Sequence, residues 1–116
     1  MNSEAAIPSI KLFIGSGFSS PENLRELLYG AEEEGVPCEV EAAGESGAIA
    51  LAYKAAEASV LGVGLGLDEA GMAAVHYNKL SADKPLFTLN YRLDGGKLRG
   101  LAANAARLVK GMPFVL

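Results

Sequence analysis

The sequence predicts an α/β domain with a five-stranded, mostly parallel sheet and helices on both faces, and three patterns carry that reading. Short apolar runs alternate with stretches of helical period. The run from Val60 to Leu67 is apolar throughout, as a central strand buried on both faces requires. The connection after it, Asp68-Glu69-Ala70-Gly71, is too short for a crossover helix, so the next strand should return antiparallel.

Taken in order, residues 1–8 read as a flexible tail and 9–116 as a single domain. Ile10, Leu12, Phe13 and Ile14 form a buried first strand that ends in Gly15-Ser16-Gly17. Ser20 and Pro21 mark a helix start, with a capping hydroxyl and a proline in the first turn. Leu24, Leu27, Leu28 and Ala31 give that helix its apolar stripe, and Gly35 suits its left-handed cap. Val36 to Ala42 reads as the second strand, and an alanine-rich helix follows over about Ser46 to Ser59. Val60 to Leu67 is the third strand, Ala73 to Tyr77 the fourth and Pro85 to Tyr91 the fifth. Asp94-Gly95-Gly96 turns into a last helix, Lys97 to Lys110, whose stripe is Leu98, Leu101, Ala102, Ala105, Leu108 and Val109.

Composition narrows the function. The chain has 116 residues, half of them hydrophobic, so a packed core is expected without disulfide or metal. A net charge of −4 argues against nucleic acid and against an anionic membrane surface. No apolar stretch reaches the roughly 18 residues that span a bilayer, and the N-terminus lacks a signal-peptide pattern. The single cysteine, Cys38, fits a reducing compartment. A cytoplasmic location is the expectation.

Five features invite chemistry. Gly15-Ser16-Gly17 is half of a phosphate-binding turn, but Ser20 stands where a third glycine is wanted. An ordinary βα turn is the favoured reading. Gly62, Gly64 and Gly66 alternate along the third strand and leave a strip open to close approach. Either a helix of this chain or another chain could fill it. His76 stands without a second histidine or a cysteine cluster, so a structural role outweighs a catalytic one. Cys38 likewise reads as a small buried apolar residue.

Glu32-Glu33-Glu34 is the fifth feature. Three carboxylates in the last turn of a helix oppose the dipole, each at some tenths of a kcal/mol. Arg25 and Lys54 are candidate counter-charges. A local violation of this kind marks a functional site in many proteins, and carboxylate oxygens suit Mg²⁺ or Ca²⁺. One short segment cannot complete such a site. No acid–base pair, triad or complete phosphate loop is visible, so the chain is not expected to be an enzyme by itself.

Three stretches together resemble a known family. They are Glu32-Glu33-Glu34-Gly35-Val36-Pro37, the segment Val75-His76-Tyr77-Asn78-Lys79-Leu80 leading to Pro85-Leu86-Phe87-Thr88-Leu89, and Asn104 to Phe114. They closely resemble the small subunit of diol and glycerol dehydratase reactivating factors, from the first strand to the C-terminus. The resemblance implies a three-layer α/β/α fold, like the dehydratase medium subunit and anticodon-binding domains, with an antiparallel fourth strand.

It also implies a function. Such factors are molecular chaperones that release damaged cobalamin from a B12-dependent dehydratase with ATP hydrolysis, by subunit swapping. The ATPase would be a large partner subunit, in an assembly of two large and two small chains, and the dehydratase would be the client. By motif position Glu33 is the residue that joins a metal held mainly by the large subunit, Mg²⁺ or Ca²⁺ at the interface. No direct cobalamin or ATP binding is implied for this chain, and it has no cobalt-ligating Asp-x-His-x-x-Gly motif. Association with a bacterial microcompartment is admitted as well. The segments Glu39 to Gly47 and Phe18 to Pro21 depart from the family pattern. Two alternatives remain: a medium subunit of the dehydratase itself, or a small nucleotide-binding enzyme using the Gly15 turn.

Overall fold

Residues 7–44 and 47–114 are described by the computed structural model. Five strands are laid down as β1 (Ile10–Ile14), β2 (Cys38–Ala42), β3 (Val63–Leu67), β4 (Met72–Tyr77) and β5 (Phe87–Asn90). The helices are α1 (Pro21–Glu33), α2 (Ala48–Ala58), the short α3 (Tyr91–Asp94) and α4 (Leu98–Lys110), with one 3₁₀ turn at Gly95–Lys97. The strand order is β2-β1-β3-β4-β5. β1 pairs in parallel with β2 and β3, while β4 is antiparallel to both β3 and β5. The expected mixed sheet with a reversed fourth strand is therefore present.

The chain leaves β1 outward to β2, then passes back over β1 to β3. Crossovers of one hand made in opposite directions place their helices on opposite faces. Thus α2 lies alone on one face, against β1, β3 and β4, and α1 packs beside α4 on the other. Strand alternation matches these layers. Ile10, Leu12, Val63, Leu65, Leu67 and Val75 join Leu27, Leu98 and Ala105 in the main core. Ala74 turns the other way, to Ala48 and Ala52 of α2.

Gly64 and Gly66 settle the open question of the glycine strip. A Cβ on Gly64 would sit 2.2 Å from Ala56 N, and one on Gly66 would sit 2.3 Å from Ala48 O. The strip is filled by α2, backbone against backbone, within this chain. Gly62 is not part of it. It takes φ +77° in a turn beside Asn78, and its N–H donates to Ser59 O.

Several boundaries move for physical reasons. β3 starts at Val63 rather than Val60, because Ser59 Oγ donates to Ser9 O and accepts from Leu61 N–H, which builds a turn. Val60 is left 82% exposed. β2 starts at Cys38, since Val36 N–H is spent closing α1 on Ala31 O. Ser20 does occupy the α1 N-cap position, but its hydroxyl makes no capping bond there. The predicted fifth strand ends early at Asn90, whose Oδ1 accepts from Arg92 and Leu93 N–H and starts the unpredicted α3. The expected α2 start at Ser46 lies outside the described residues, as does most of the predicted tail.

Asp68 holds the β3–β4 connection. Its Oδ1 accepts from Gly71 and Met72 N–H at 3.0 and 2.9 Å, and its Oδ2 accepts from Ala48 N–H at 3.0 Å. The last bond satisfies an otherwise free donor at the N-terminus of α2, where Gly47 has no side chain to do so. The Tyr91 hydroxyl donates to Asp68 O.

Gly64→Ala should lower the unfolding free energy by about 1–3 kcal/mol or more, as overpacking does. Gly100→Ala, whose added methyl meets nothing within 4 Å on α4, should raise it by about 0.5–1 kcal/mol. Urea denaturation of both variants checks this, and a Gly64→Ala protein as stable as its parent would contradict the packing.

Candidate functional site

The acidic end of α1 lies beside α4 because the two helices cross closely. At Gly30 a Cβ would fall 2.1 Å from Arg99 O. The crossing lays the basic residues of α4 along the acidic residues of α1. Arg99 donates to both oxygens of Glu26 and, through Nη1, to Glu33 Oε2 at 3.1 Å. Its guanidinium also covers the Tyr29 ring, 5.1 Å from the centroid. Arg107 and Lys110 both reach Glu34.

The three neighbouring glutamates therefore occupy different environments. Glu34 is mostly covered, 15% exposed, and accepts from Lys110 Nζ at 2.9 Å and Arg107 Nε at 3.2 Å. The Lys110 hydrogen bond, helped by Arg107, holds its carboxyl below the usual carboxylate range against the opposing effect of burial. Glu33 is 56% exposed, with Oε2 on Arg99 and Oε1 taking no hydrogen bond among the described residues. Glu32 is exposed and lines an open groove of about 430 Å³ with Leu28, Gly35, Val36, Pro37 and Cys38.

Sequence reasoning placed the counter-charges wrongly. They are Arg99, Arg107 and Lys110, not Arg25 and Lys54, and Lys54 sits on α2 across the sheet. The strain inferred for the acidic run is thus largely answered within the chain. The available signal was the spacing on α4, where residues 99, 107 and 110 return to one helical face.

Among the described residues no group of three or more His, Cys, Asp or Glu could hold a metal ion. Glu33 still fits a divalent cation as one member of a shared shell. It is exposed, it has an oxygen to offer, and hard cations take carboxylate oxygen. The remaining ligands would have to come from another chain and from water.

The other candidates find structural places. His76 is fully buried, edge-on to Tyr53 at 5.0 Å. Its Nδ1 accepts from Tyr77 N–H at 2.9 Å, and its Nε2 lies 3.1 Å from Ala82 O, so both ring nitrogens are engaged by backbone. The Cys38 thiol is pushed up to about 12, by burial first and by the Glu39 charge second, far from nucleophilic range. At the Gly15 turn, a Cβ on Gly17 would fall 2.3 Å from Glu69 Oε1. A carboxylate therefore stands where a phosphate would have to approach.

Comparison with known proteins agrees along the length of the chain. The family described as Dehydratase medium subunit matches residues 7–115. The chain is 40% identical over 114 residues to the diol dehydratase-reactivating factor small subunit of Klebsiella michiganensis, covering 98% of this chain and 89% of that one. A solved glycerol dehydratase reactivase superposes with a TM-score of 0.90 at 38% identity, over 95% of this chain and 98% of that one. A diol dehydratase-reactivating factor solved in complex with ADP and Mg²⁺ superposes with a TM-score of 0.85 at 39% identity, over 96% and 100%.

The lowered Glu34 carboxyl has a pH consequence. A native value below the unfolded one stabilises the fold fully above the unfolded value. That contribution is lost as pH falls through the lowered native value. Thermal melts should show Glu34→Gln less stable than wild type at neutral pH, with the difference narrowing on acidification. A gap that stays constant down to acid pH would refute this.

Proposed function

The chain belongs to the dehydratase medium-subunit family, and we propose that within it this protein is the small, non-catalytic subunit of a diol or glycerol dehydratase reactivating factor. The carrying observation is the nearly end-to-end match, in sequence to small subunits of such factors and in fold to chains of solved reactivating factors. The same observation does not favour the alternative, a medium subunit of the dehydratase itself. The Gly15 turn, with Glu69 beside it, does not support a nucleotide enzyme.

In this reading the partner is a large subunit that carries the ATPase, and the client is a B12-dependent dehydratase holding damaged cobalamin. The α1 end of the domain docks on the large subunit. Glu33 offers one carboxylate oxygen to Mg²⁺ or Ca²⁺ at the junction, and the α4 cations keep the neighbouring carboxylates from repelling one another. A divalent cation bound there would supply a charge bridge between the chains. A face built on ionised groups, unlike an obligate interface that resembles a domain core, suits a partner that must leave. Its departure would free the large subunit to take the dehydratase in its place. Among the described residues no helix is long and apolar enough to cross a membrane.

Co-expression with the cognate large subunit should give a stable hetero-oligomer, and a chain that stays monomeric beside it would overturn the reading. Restored dehydratase activity on mixing with the large and small dehydratase subunits would favour the alternative. In titrations of the large subunit with Mg²⁺ present, Glu33→Gln should weaken assembly by about tenfold or more. Glu32→Gln should weaken it far less, and equal affinities would remove any special role for Glu33.

A further inference from the structure

Arg99 is fixed from several directions before Glu33 is considered. Its Nε and Nη2 donate to Glu26 Oε1 and Oε2, both at 3.1 Å, a two-pronged grip. Its guanidinium lies over the Tyr29 ring. Its backbone is pinned by the α1–α4 crossing, where Arg99 O occupies the space a side chain on Gly30 would take. Of the donors that remain, one on Nη1 points at Glu33 and donates to its Oε2. Glu26 and Glu33 are two helical turns apart on α1, so one guanidinium bridges both.

We propose that Arg99 is a positioning residue which, locked by Glu26 and Tyr29, holds Glu33 Oε2 and so aims Glu33 Oε1 at a divalent cation carried mainly by the partner subunit. The inference rests on the reading of Glu33 as a shared metal ligand. An exposed glutamate samples several rotamers, and fixing it on binding costs about 1–2 kcal/mol of side-chain entropy. The Nη1 contact removes part of that freedom beforehand. Because Arg99 spends its fork on Glu26, it meets Glu33 with a single N–H and leaves one oxygen unclaimed. Two carboxylates facing one guanidinium also leave a net negative charge for the cation. Lysine keeps the charge but lacks the planar fork, so it cannot grip Glu26 and direct a separate in-plane donor at Glu33. Hydrogen bonds from outside the coordination shell orient metal-binding carboxylates in this way.

The test measures affinity for the cognate large subunit by titration calorimetry, in Mg²⁺ and in chelator, and reads the ratio within each variant. That ratio cancels any loss from weakened helix packing. Arg99→Lys should lower the ratio about tenfold. Glu26→Gln should lower it too, although Glu26 never reaches the cation, because Arg99 is then free to close on both oxygens of Glu33. Glu33→Gln should abolish the ratio, and adding Arg99→Lys to it should change the ratio no further, the signature of coupled residues. If Glu33→Gln abolishes the ratio while Arg99→Lys and Glu26→Gln leave it intact, Arg99 is only a strut between helices and the proposal fails. If Glu33→Gln keeps the wild-type ratio, or wild type shows none, the ligand reading itself falls and takes this inference with it.

Discussion

Two absent side chains on β3, at Gly64 and Gly66, let the backbone of α2 lie directly on the sheet. The rest of the architecture follows from that contact. With α2 so close, one face of the sheet is finished by a single alanine-rich helix. The opposite face carries the larger side chains Ile10, Leu12, Leu65 and Leu67, and these need two helices to cover them. The domain is thin on one side and thick on the other. On the thick side α1 and α4 must lie next to each other, and their own contact at Gly30 brings acidic residues of one against basic residues of the other.

A run of identical residues becomes chemically diverse through that second contact. Glu34 is neutralised by two cations, Glu33 is half committed to Arg99, and Glu32 is turned to a groove. Read on α1 alone, the three looked equally out of place against the helix dipole. In the folded chain only Glu33 keeps both a fixed anchor and an oxygen to spare. The case for its role thus shifts from electrostatic discomfort to geometry.

The legible parts of the fold were those decided by neighbours in sequence. The buried β3 run, the short turn that reverses β4, and the glycines ending α1 and α4 all act within a few residues. The misplaced boundaries came from competing hydrogen bonds. Ser59 folds Val60 out of β3, and Asn90 starts a helix where a strand was expected. The partners of the acidic run were hidden for a different reason. They lie 66 to 76 residues away, and nothing short of the α1–α4 crossing selects them over nearer cations. Asp68 was read only as a turn residue, because its bond to Ala48 N–H joins segments 20 residues apart.

Asp68 and Glu33 stand at opposite ends of the sheet. Glu33 precedes Cys38, which is registered with the start of β1, while Asp68 follows Leu67, which is registered with its end. At the Asp68 end one carboxylate ties together the start of α2 and the β3–β4 turn, and its carbonyl receives Tyr91. The far end of the domain is therefore latched independently of whatever the Glu33 end touches. A body latched in this way can be taken up and given off without softening. The entropy it surrenders on docking is then mainly that of tumbling and translation. In the proposed role, where the chain would vacate its seat repeatedly, such rigidity would keep each round of exchange from becoming a round of refolding.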